Sequence, residues 1–413
     1  MINVMPVQKR QRHKGRLYLS AFVLLLAAAY VLAALLLPIK VLSAGKGIRQ
    51  LHITTPQSNL PWPKYGEGAM GLADGEVVQT HNRQVPLATA SVAKLITALA
   101  VLHKYPLQLN QQGPSIVIDS TDYNYYTTYI AEQGSVVPVY TGEQLSELQM
   151  LEAMLVPSGN NIADALARWA YGSLSAYSSF ANAYVKQLGL NHTHIGSDAS
   201  GFSPSTTSTA RDLVVLGSIV IANPVLKQIV AMQSVNVPNV GVMNNYDSII
   251  GKAGIIGIKT GNSNQAGGVF LAAANTKVNS KPVTIIVALM GAPSLSQVLT
   301  DTIPMVIAVE NDFAQTILVD QSEVLDEFKL PWGGLVQVAV KKNLTVYVLQ
   351  GQQLQASLKL SSLKLPTAGG TVLGYLSTPA NNLNPAQSVP VVTLQSTSKP
   401  TWQWRLTHPK YIF

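Results

Sequence analysis

The 413-residue chain contains no cysteine. That excludes a disulfide, an iron–sulfur cluster, a thiolate zinc site and a cysteine nucleophile. Charge is also scarce: Asp, Glu, Lys and Arg make up 12% of the residues and apolar types 47%, where about 25% charged is usual for soluble proteins. One uncharged apolar stretch near the start accounts for part of the deficit, and a body rich in Ser, Thr, Asn and Gln for the rest. The net charge is +8, but Lys9, Arg10, Arg12, Lys14 and Arg16 sit in one short run. The remainder is only mildly basic, so no nucleic-acid partner is implied. His192 and His194 form an H-x-H pair with Asp198 nearby. A zinc site needs a further ligand held in place, and a surface loop is the plainer reading, so no metal is expected. No internal repeat is present.

Residues 17–37 read LYLSAFVLLLAAAYVLAALLL. About 20 apolar residues span a bilayer as a helix, and the basic run before them favours the cytoplasmic side. A cleaved signal peptide is the competing reading. Its apolar core would be about 7–15 residues with a small-x-small site, and Leu42-Ser43-Ala44 matches that poorly. The expected organisation is a basic cytoplasmic tail over 1–16, a membrane-spanning anchor over 17–37 and a tether over 38–60. A catalytic domain over 61–320 and a β-rich domain over 324–413 follow.

Within the body, AMGLADGEVVQTHN reads as a hairpin about Asp74-Gly75. Val92, Leu95, Ile96, Leu99 and Leu102 recur at helical spacing. Helices are expected from Leu145 to Val156, from near Ile162, and over 296–315. Strands are expected over Ile255–Thr260, Gly268–Ala274 and Val283–Met290, the last two joined by a turn at Asn275–Lys281. VQVAVKKNLTVYVLQ alternates like a half-buried strand. The C-terminal WQWRLTHPKYIF reads as strand-like, with Trp402 and Trp404 packed in the β domain. Tyr123, Tyr125, Tyr126 and Tyr129 read as half-buried packing, and Arg211 with Asp212 as a structural ion pair.

Three short motifs carry chemistry. Ser91-Val92-Ala93-Lys94 places a hydroxyl and an amine three residues apart, on one helix face. A serine needs a base to take its proton. Lys94 supplies one if burial and a second cation bring its pKa well below about 10.4. A helix N-terminus adds N–H groups that can face an oxyanion. Alone, the pair reads equally as an N-cap serine and a solvated lysine. Ser158-Gly159-Asn160 falls in the break after Pro157, where a serine can relay a proton and an asparagine can hold an amide. Alone it is an inter-helix turn. Lys259-Thr260-Gly261 ends an apolar strand; the lysine and threonine suit a carboxylate, and Gly261 permits close approach of a substrate backbone. In this order and these contexts, the three form the motif set of penicillin-binding proteins and class A β-lactamases, in which the acylation base is disputed.

The segments PLATASVAKLITALAVL, TGEQLSELQMLEAMLVPSGNNIADALA, DASGFSPSTTSTARDL and GIIGIKTGNSNQAGGVFLAAA cover most of 67–315. In them the chain resembles the low-molecular-mass D-alanyl-D-alanine carboxypeptidases, serine peptidases related to the penicillin-binding proteins. That resemblance implies a mixed α/β transpeptidase-like domain: a mainly antiparallel sheet, a helical subdomain, and a small β-rich second domain. It implies Ser91 as acylated nucleophile, Lys94 as base, Ser158 in a proton relay, and Asn160, Lys259 and Thr260 as substrate-binding groups. The backbone N–H groups of Ser91 and Asn262 would form the oxyanion hole. The substrates implied are peptidoglycan stem peptides, with β-lactams as covalent inhibitors and no cofactor. A β-lactamase, a D,D-endopeptidase, or a non-hydrolytic penicillin sensor or wall-binding protein would share the fold. Two departures from the family stand out: Asn161, where an acidic residue is frequent, and a C-terminus unlike the family's amphipathic helix.

Overall fold

The computed structural model describes residues 11–39, 48–56, 59–381 and 383–413. Most of the expected basic tail, including Lys9 and Arg10, and part of the expected tether lie outside these residues. The chain divides into two compact units. One gathers residues 54–315 with 347–354; the other gathers 316–346 and 355–413 with the described residues before 54.

The larger unit is built on a five-stranded sheet in the order Ile255–Ser263, Gly267–Val278, Lys281–Ala292, Glu67–Leu72, Val77–His81. Every neighbouring pair is antiparallel. The hairpin about Asp74-Gly75 forms as read, with Gly75 N–H bonded to the Leu72 carbonyl at 3.0 Å. The turn expected over Asn275–Lys281 is shorter. Asn275 to Val278 continue the strand, alternating exposed and buried, and only Asn279 and Ser280 turn, with φ of +48° and +63°. Two consecutive positive φ values are the signature of a tight hairpin turn whose twist matches the strands.

Helix Ala210–Ala222 packs on one face of this sheet. Gly217 allows the close approach: a Cβ there would lie 2.9 Å from Ile286 and 3.1 Å from Ile258 side-chain carbons. The helical subdomain comprises Lys94–Lys104, Ser120–Ala131, Glu147–Leu155, Asn160–Tyr171 and Leu174–Gln187. Leu95, Ile96, Leu99 and Leu102 are buried as their spacing predicts. The helix expected from Leu145 begins at Glu147, because Ser146 caps it: Gln149 N–H donates to Ser146 Oγ and Ser146 N–H to Gln149 Oε1, a reciprocal capping box. The helix expected over 296–315 ends at Asn311, and Phe313–Val319 is a strand.

The smaller unit carries a six-stranded sheet, in the order Ile48–Thr54, Gln353–Leu360, Val372–Thr378, Gln387–Thr393, Leu335–Val340, Asp326–Lys329. Its first member corrects the tether expected over 38–60: residues 48–54 are a strand whose Leu51 and Ile53 alternate inward. From the first strand of this order, Arg49 ion-pairs with Asp326 of the last at 3.7 Å and bonds the Leu325 carbonyl. The alternating run at 336–350 falls in two strands, Leu335–Val340 and Leu344–Leu349, broken at 341–343, not in one.

The strand expected at the C-terminus is a helix, Trp402–Thr407. Thr401 caps it by accepting from Trp404 N–H. Trp404 stacks on His408, four residues on, at 4.6 Å between ring centroids, a pairing that helical spacing makes possible. Trp404 also packs edge-on against Trp332, whereas Trp402 is 60% exposed and not in the core. The N-terminal helix runs Gln11–Leu36, and Gly15–Leu36 is long and apolar enough to cross a membrane. Its last carbonyls lack intrahelical partners. Arg405 supplies them, donating to the carbonyls of Ala34 and Leu37, while Tyr30 Oη donates to the Leu406 carbonyl at 2.6 Å.

Candidate active site

Ser91 lies in a single 3-10 turn, Ala90–Ala93, that leads directly into helix Lys94–Lys104. The preceding residue, Ala90, has φ +44°, a conformation that costs free energy in a non-glycine residue and clusters at functional sites. The turn is pressed against the end of the edge strand Ile255–Ser263. A Cβ on Gly261 would lie 2.7 Å from the Thr89 carbonyl oxygen and 3.3 Å from Ser91 N. The glycine is therefore required by the protein's own Ser91 turn, a closer constraint than the substrate approach expected of it.

Lys94 is fully buried. Its Nζ lies 2.7 Å from Ser91 Oγ, 2.7 Å from Asn160 Oδ1 and 3.1 Å from the Ser200 carbonyl oxygen. An ammonium has three donors and a neutral amine has two plus a lone pair. The amide oxygen of Asn160 and the carbonyl of Ser200 can only accept. Ser91 Oγ is the one partner able to reverse and donate. When Lys94 is neutral, its lone pair therefore points at the Ser91 hydroxyl. Burial, and next the nearby Lys259 cation, hold the Lys94 pKa well below its usual value, against the opposing carboxylates Asp198 and Asp164.

Lys259 is also buried, and desolvation brings its pKa down to about 7, opposed by Asp247. Its Nζ donates to the Thr260 carbonyl at 3.1 Å. Asp247 is pushed up to about 6 by burial. Ser91, Ser158, Asn160, Thr260, Gly261 and Asn262 all line one cleft of about 460 Å³. Ser158 adopts φ +62° and is brought to this cleft, but Lys94 is bonded to Ser91, Asn160 and Ser200 and not to Ser158.

Asn160 opens helix Asn160–Tyr171, with its N–H bonded to the Ser135 carbonyl at 2.8 Å. Asn161, one of the departures noted above, accepts from Val137 N–H at 3.0 Å and donates to the Val137 carbonyl at 2.9 Å. An amide can do both; an ionised carboxylate can only accept.

Other expectations resolve outside the cleft. Among the described residues no cluster of His, Asp or Glu could hold a metal. Asp198 accepts from the backbone N–H groups of Ser200, Phe202 and Ser203. Asp212 lies 3.7 Å from His192 and accepts from Thr193 Oγ1, which corrects the ion pair expected with Arg211. Tyr129, grouped with three other tyrosines in the sequence, is buried and donates to Asp164 Oδ2 at 2.7 Å. The Ser200 carbonyl, Asp164 and Asp247 were missed. The one signal for Asp164 was a carboxylate in an otherwise apolar helical run, four residues after Asn160.

Residues 69–294 match the family model described as D-alanyl-D-alanine carboxypeptidase, peptidase family S11. The chain is 31% identical to a D-alanyl-D-alanine carboxypeptidase of Mycobacterium tuberculosis over 228 residues, 53% of this chain and 74% of that protein. It is 30% identical to a D-alanyl-D-alanine endopeptidase of Pseudomonas aeruginosa over 255 residues, 57% of this chain and 78% of that one. Among solved structures, penicillin binding protein 5 from Haemophilus influenzae superposes with a TM-score of 0.58 at 19% identity, covering 82% of this chain and 99% of that one. A D-alanyl-D-alanine carboxypeptidase from M. tuberculosis H37Rv superposes at 0.52 with 26% identity, covering 64% of this chain and 94% of that one.

Proposed function

Because the chain belongs to the D-alanyl-D-alanine carboxypeptidase family and is a serine-type hydrolase of the D-Ala-D-Ala bond, we propose the following roles for its residues. Neutral Lys94 takes the proton of Ser91, and Oγ attacks the carbonyl carbon of the penultimate D-alanine. The N–H groups of Ser91 and Asn262 receive the oxyanion. The C–N bond then breaks, a proton passes by way of Ser158 to the departing amine, and D-alanine leaves. Water hydrolyses the Ser91 ester, and the proton it gives up restores the hydroxyl.

Substrate is held by three features. Lys259 and Thr260 take its terminal carboxylate, and Asn160 takes a peptide amide. The strand Ile255–Ser263 lies at the edge of its sheet, and an edge strand offers unpaired N–H and C=O groups to an extended peptide. A β-lactam meets the same groups as a mimic of the dipeptide and acylates Ser91. The observation that carries this reading is the buried Lys94 amine, 2.7 Å from Ser91 Oγ.

The N-terminal helix is the proposed membrane anchor. The basic run before it favours retention in the cytoplasm, which leaves the catalytic unit on the outer side.

The test is to incubate the full chain in detergent with a fluorescent penicillin, beside Ser91→Ala. D-alanine release is measured from a diacetyl-Lys-D-Ala-D-Ala peptide, and conversion of a crosslinked muropeptide to its monomers is followed by chromatography. Label lost in the variant, with release from the linear peptide, is the expected result. Label without turnover of either substrate would point to a sensor. Cleavage chiefly of the crosslinked substrate into monomers would point to an endopeptidase.

A further inference from the structure

Asp164 takes no part in the chemistry proposed above, yet it is 3% exposed. It lies on helix Asn160–Tyr171 four residues after Asn160, and i to i+4 residues share a helix face. Its two oxygens are used separately. Oδ1 accepts from Ala199 N–H at 2.8 Å, and Oδ2 accepts from the Tyr129 hydroxyl at 2.7 Å.

The Ala199 peptide is held from both sides. Its N–H goes to Asp164, and its carbonyl accepts from Thr97 Oγ1 at 2.6 Å. Thr97 is three residues after Lys94 on the same helix. The next carbonyl along, that of Ser200, accepts from Lys94 Nζ. One of the three partners of Lys94, the Ser200 carbonyl, therefore traces back to Asp164 through Ala199. A second, Asn160, sits one turn before Asp164 on the same helix.

We infer that Asp164 is a positioning residue for Lys94: through Ala199 it holds the Ser200 carbonyl, one of the two acceptors that leave the lysine lone pair aimed at Ser91, and it adds a buried carboxylate to the field at the amine. The inference rests on Lys94 being the base.

The electrostatics follow from the geometry. Lys94 faces Lys259, which favours the neutral amine, and Asp198 and Asp164, which favour the ammonium. Asp247 faces Lys259. Asp164 is itself pushed up to about 7, first by burial and then by Asp198; the hydrogen bonds from Ala199 and Tyr129 and the Lys94 charge oppose this. The buried Tyr177 lies within the field of both carboxylates and shares a hydrogen bond with Thr97. An ionised Asp164 thus restrains the loss of the Lys94 proton.

Asp164→Asn keeps the shape. Its amide oxygen can accept from Ala199 N–H, and its nitrogen can donate to the Tyr129 oxygen. The measurement is the pH dependence of the acylation rate constant of the full-length protein with a fluorescent penicillin. The acid limb of the Asp164→Asn profile is expected about half a pH unit or more below that of the unsubstituted protein, because a carboxylate near the amine has been removed. Tyr129→Phe keeps the carboxylate but removes a hydrogen bond that favours its ionised form. It is expected to move the limb the same way by less, and it serves if Asp164→Asn does not fold. An unmoved limb in a folded variant, with or without a uniform fall in rate, would reduce Asp164 to a packing residue and overturn the inference. Lys94→Ala is run alongside. If it is acylated as fast as the unsubstituted protein, the reading of Lys94 as base fails first, and separately.

Discussion

Lys94 Nζ lies 2.7 Å from Ser91 Oγ, and the two residues are three apart on either side of a change from 3-10 to α-helix. The tighter turn carries the serine, and the α-helix begins at the lysine. The remaining donor directions of Lys94 end on Asn160 and Ser200, so no water is needed to complete its shell. Replacing Lys94 by Ala removes the proposed base and leaves the Ser91 turn in place. Acylation by penicillin is expected to slow by roughly 10²–10⁴, the usual range for positioned acid–base catalysis. Rapid-quench labelling measures it, and a loss below tenfold would point to another base.

Lys259 imposes a limit at the opposite end of the pH range. Burial brings its pKa to about 7, so the ammonium proposed to bind the peptide carboxylate is lost as pH rises through that value. KM for a peptide with a free terminal carboxylate is expected to climb above pH 7, by up to about tenfold per unit. The same peptide with a C-terminal amide lacks the ion pair, and its KM is expected to stay flat. Parallel curves for the two peptides would separate Lys259 from the carboxylate.

Much of this arrangement was legible in the sequence, for a physical reason. The proposed catalytic and binding groups are side chains at fixed spacings: Ser91 and Lys94 on one helix face, Asn160 at a helix start after Pro157, Lys259 and Thr260 on an apolar strand. The structure brings Ser91, Asn160 and Thr260 to one cleft, with Lys94 bonded to two of them. What stayed hidden acts through backbone or long-range pairing. The Ser200 carbonyl has no residue signature, since any residue has one. Strand Ile48–Thr54 pairs with Gln353–Leu360, far away in the chain, and its weak alternation gave no sign of a partner. The C-terminal helix depends on Thr401 as cap and on Trp404 stacking with His408, whereas alternating tryptophans read naturally as a strand. Asp164 was visible as a residue and silent as to its partners, because Ala199 and Tyr129 are brought to it only by the fold.

Gly261 tests how closely the Ser91 turn must fit its sheet. A methyl group there would lie 2.7 Å from the Thr89 carbonyl oxygen and 3.2 Å from the Ala90 Cβ. Backbone cannot yield as a flexible side chain can, so the turn bearing Ser91 must shift. Displacements of about 1 Å in a catalytic group can cost roughly 10² in rate. Gly261→Ala is accordingly expected to lower both acylation and D-alanine release by that order in a protein that still folds. An unaffected rate would mean that the Ser91 turn has slack at this contact.

Stability should carry the opposite mark of Lys259. Its proton leaves the folded protein at about pH 7, but leaves the unfolded chain only near the ordinary lysine value of 10.5. Below pH 7 both states hold the proton, and the penalty for burying a cation is fully present. Between 7 and 10.5 the unfolded chain binds more protons, so stability rises with pH as the penalty is relieved. Lys259→Met removes the group and keeps its apolar stem. The variant is expected to melt above the unsubstituted protein at pH 6.5, with the gap narrowing by about 2–4 °C or more at pH 9.5, given the usual shift per kcal/mol for a domain of this size. Taking the difference between two proteins cancels the tyrosines and surface lysines that titrate over the same range. A gap that stays constant with pH would mean that Lys259 is not held below its ordinary pKa. It would also extend the cation-lowering argument for Lys94 to higher pH, since Lys259 would then stay charged beside the amine throughout the working range.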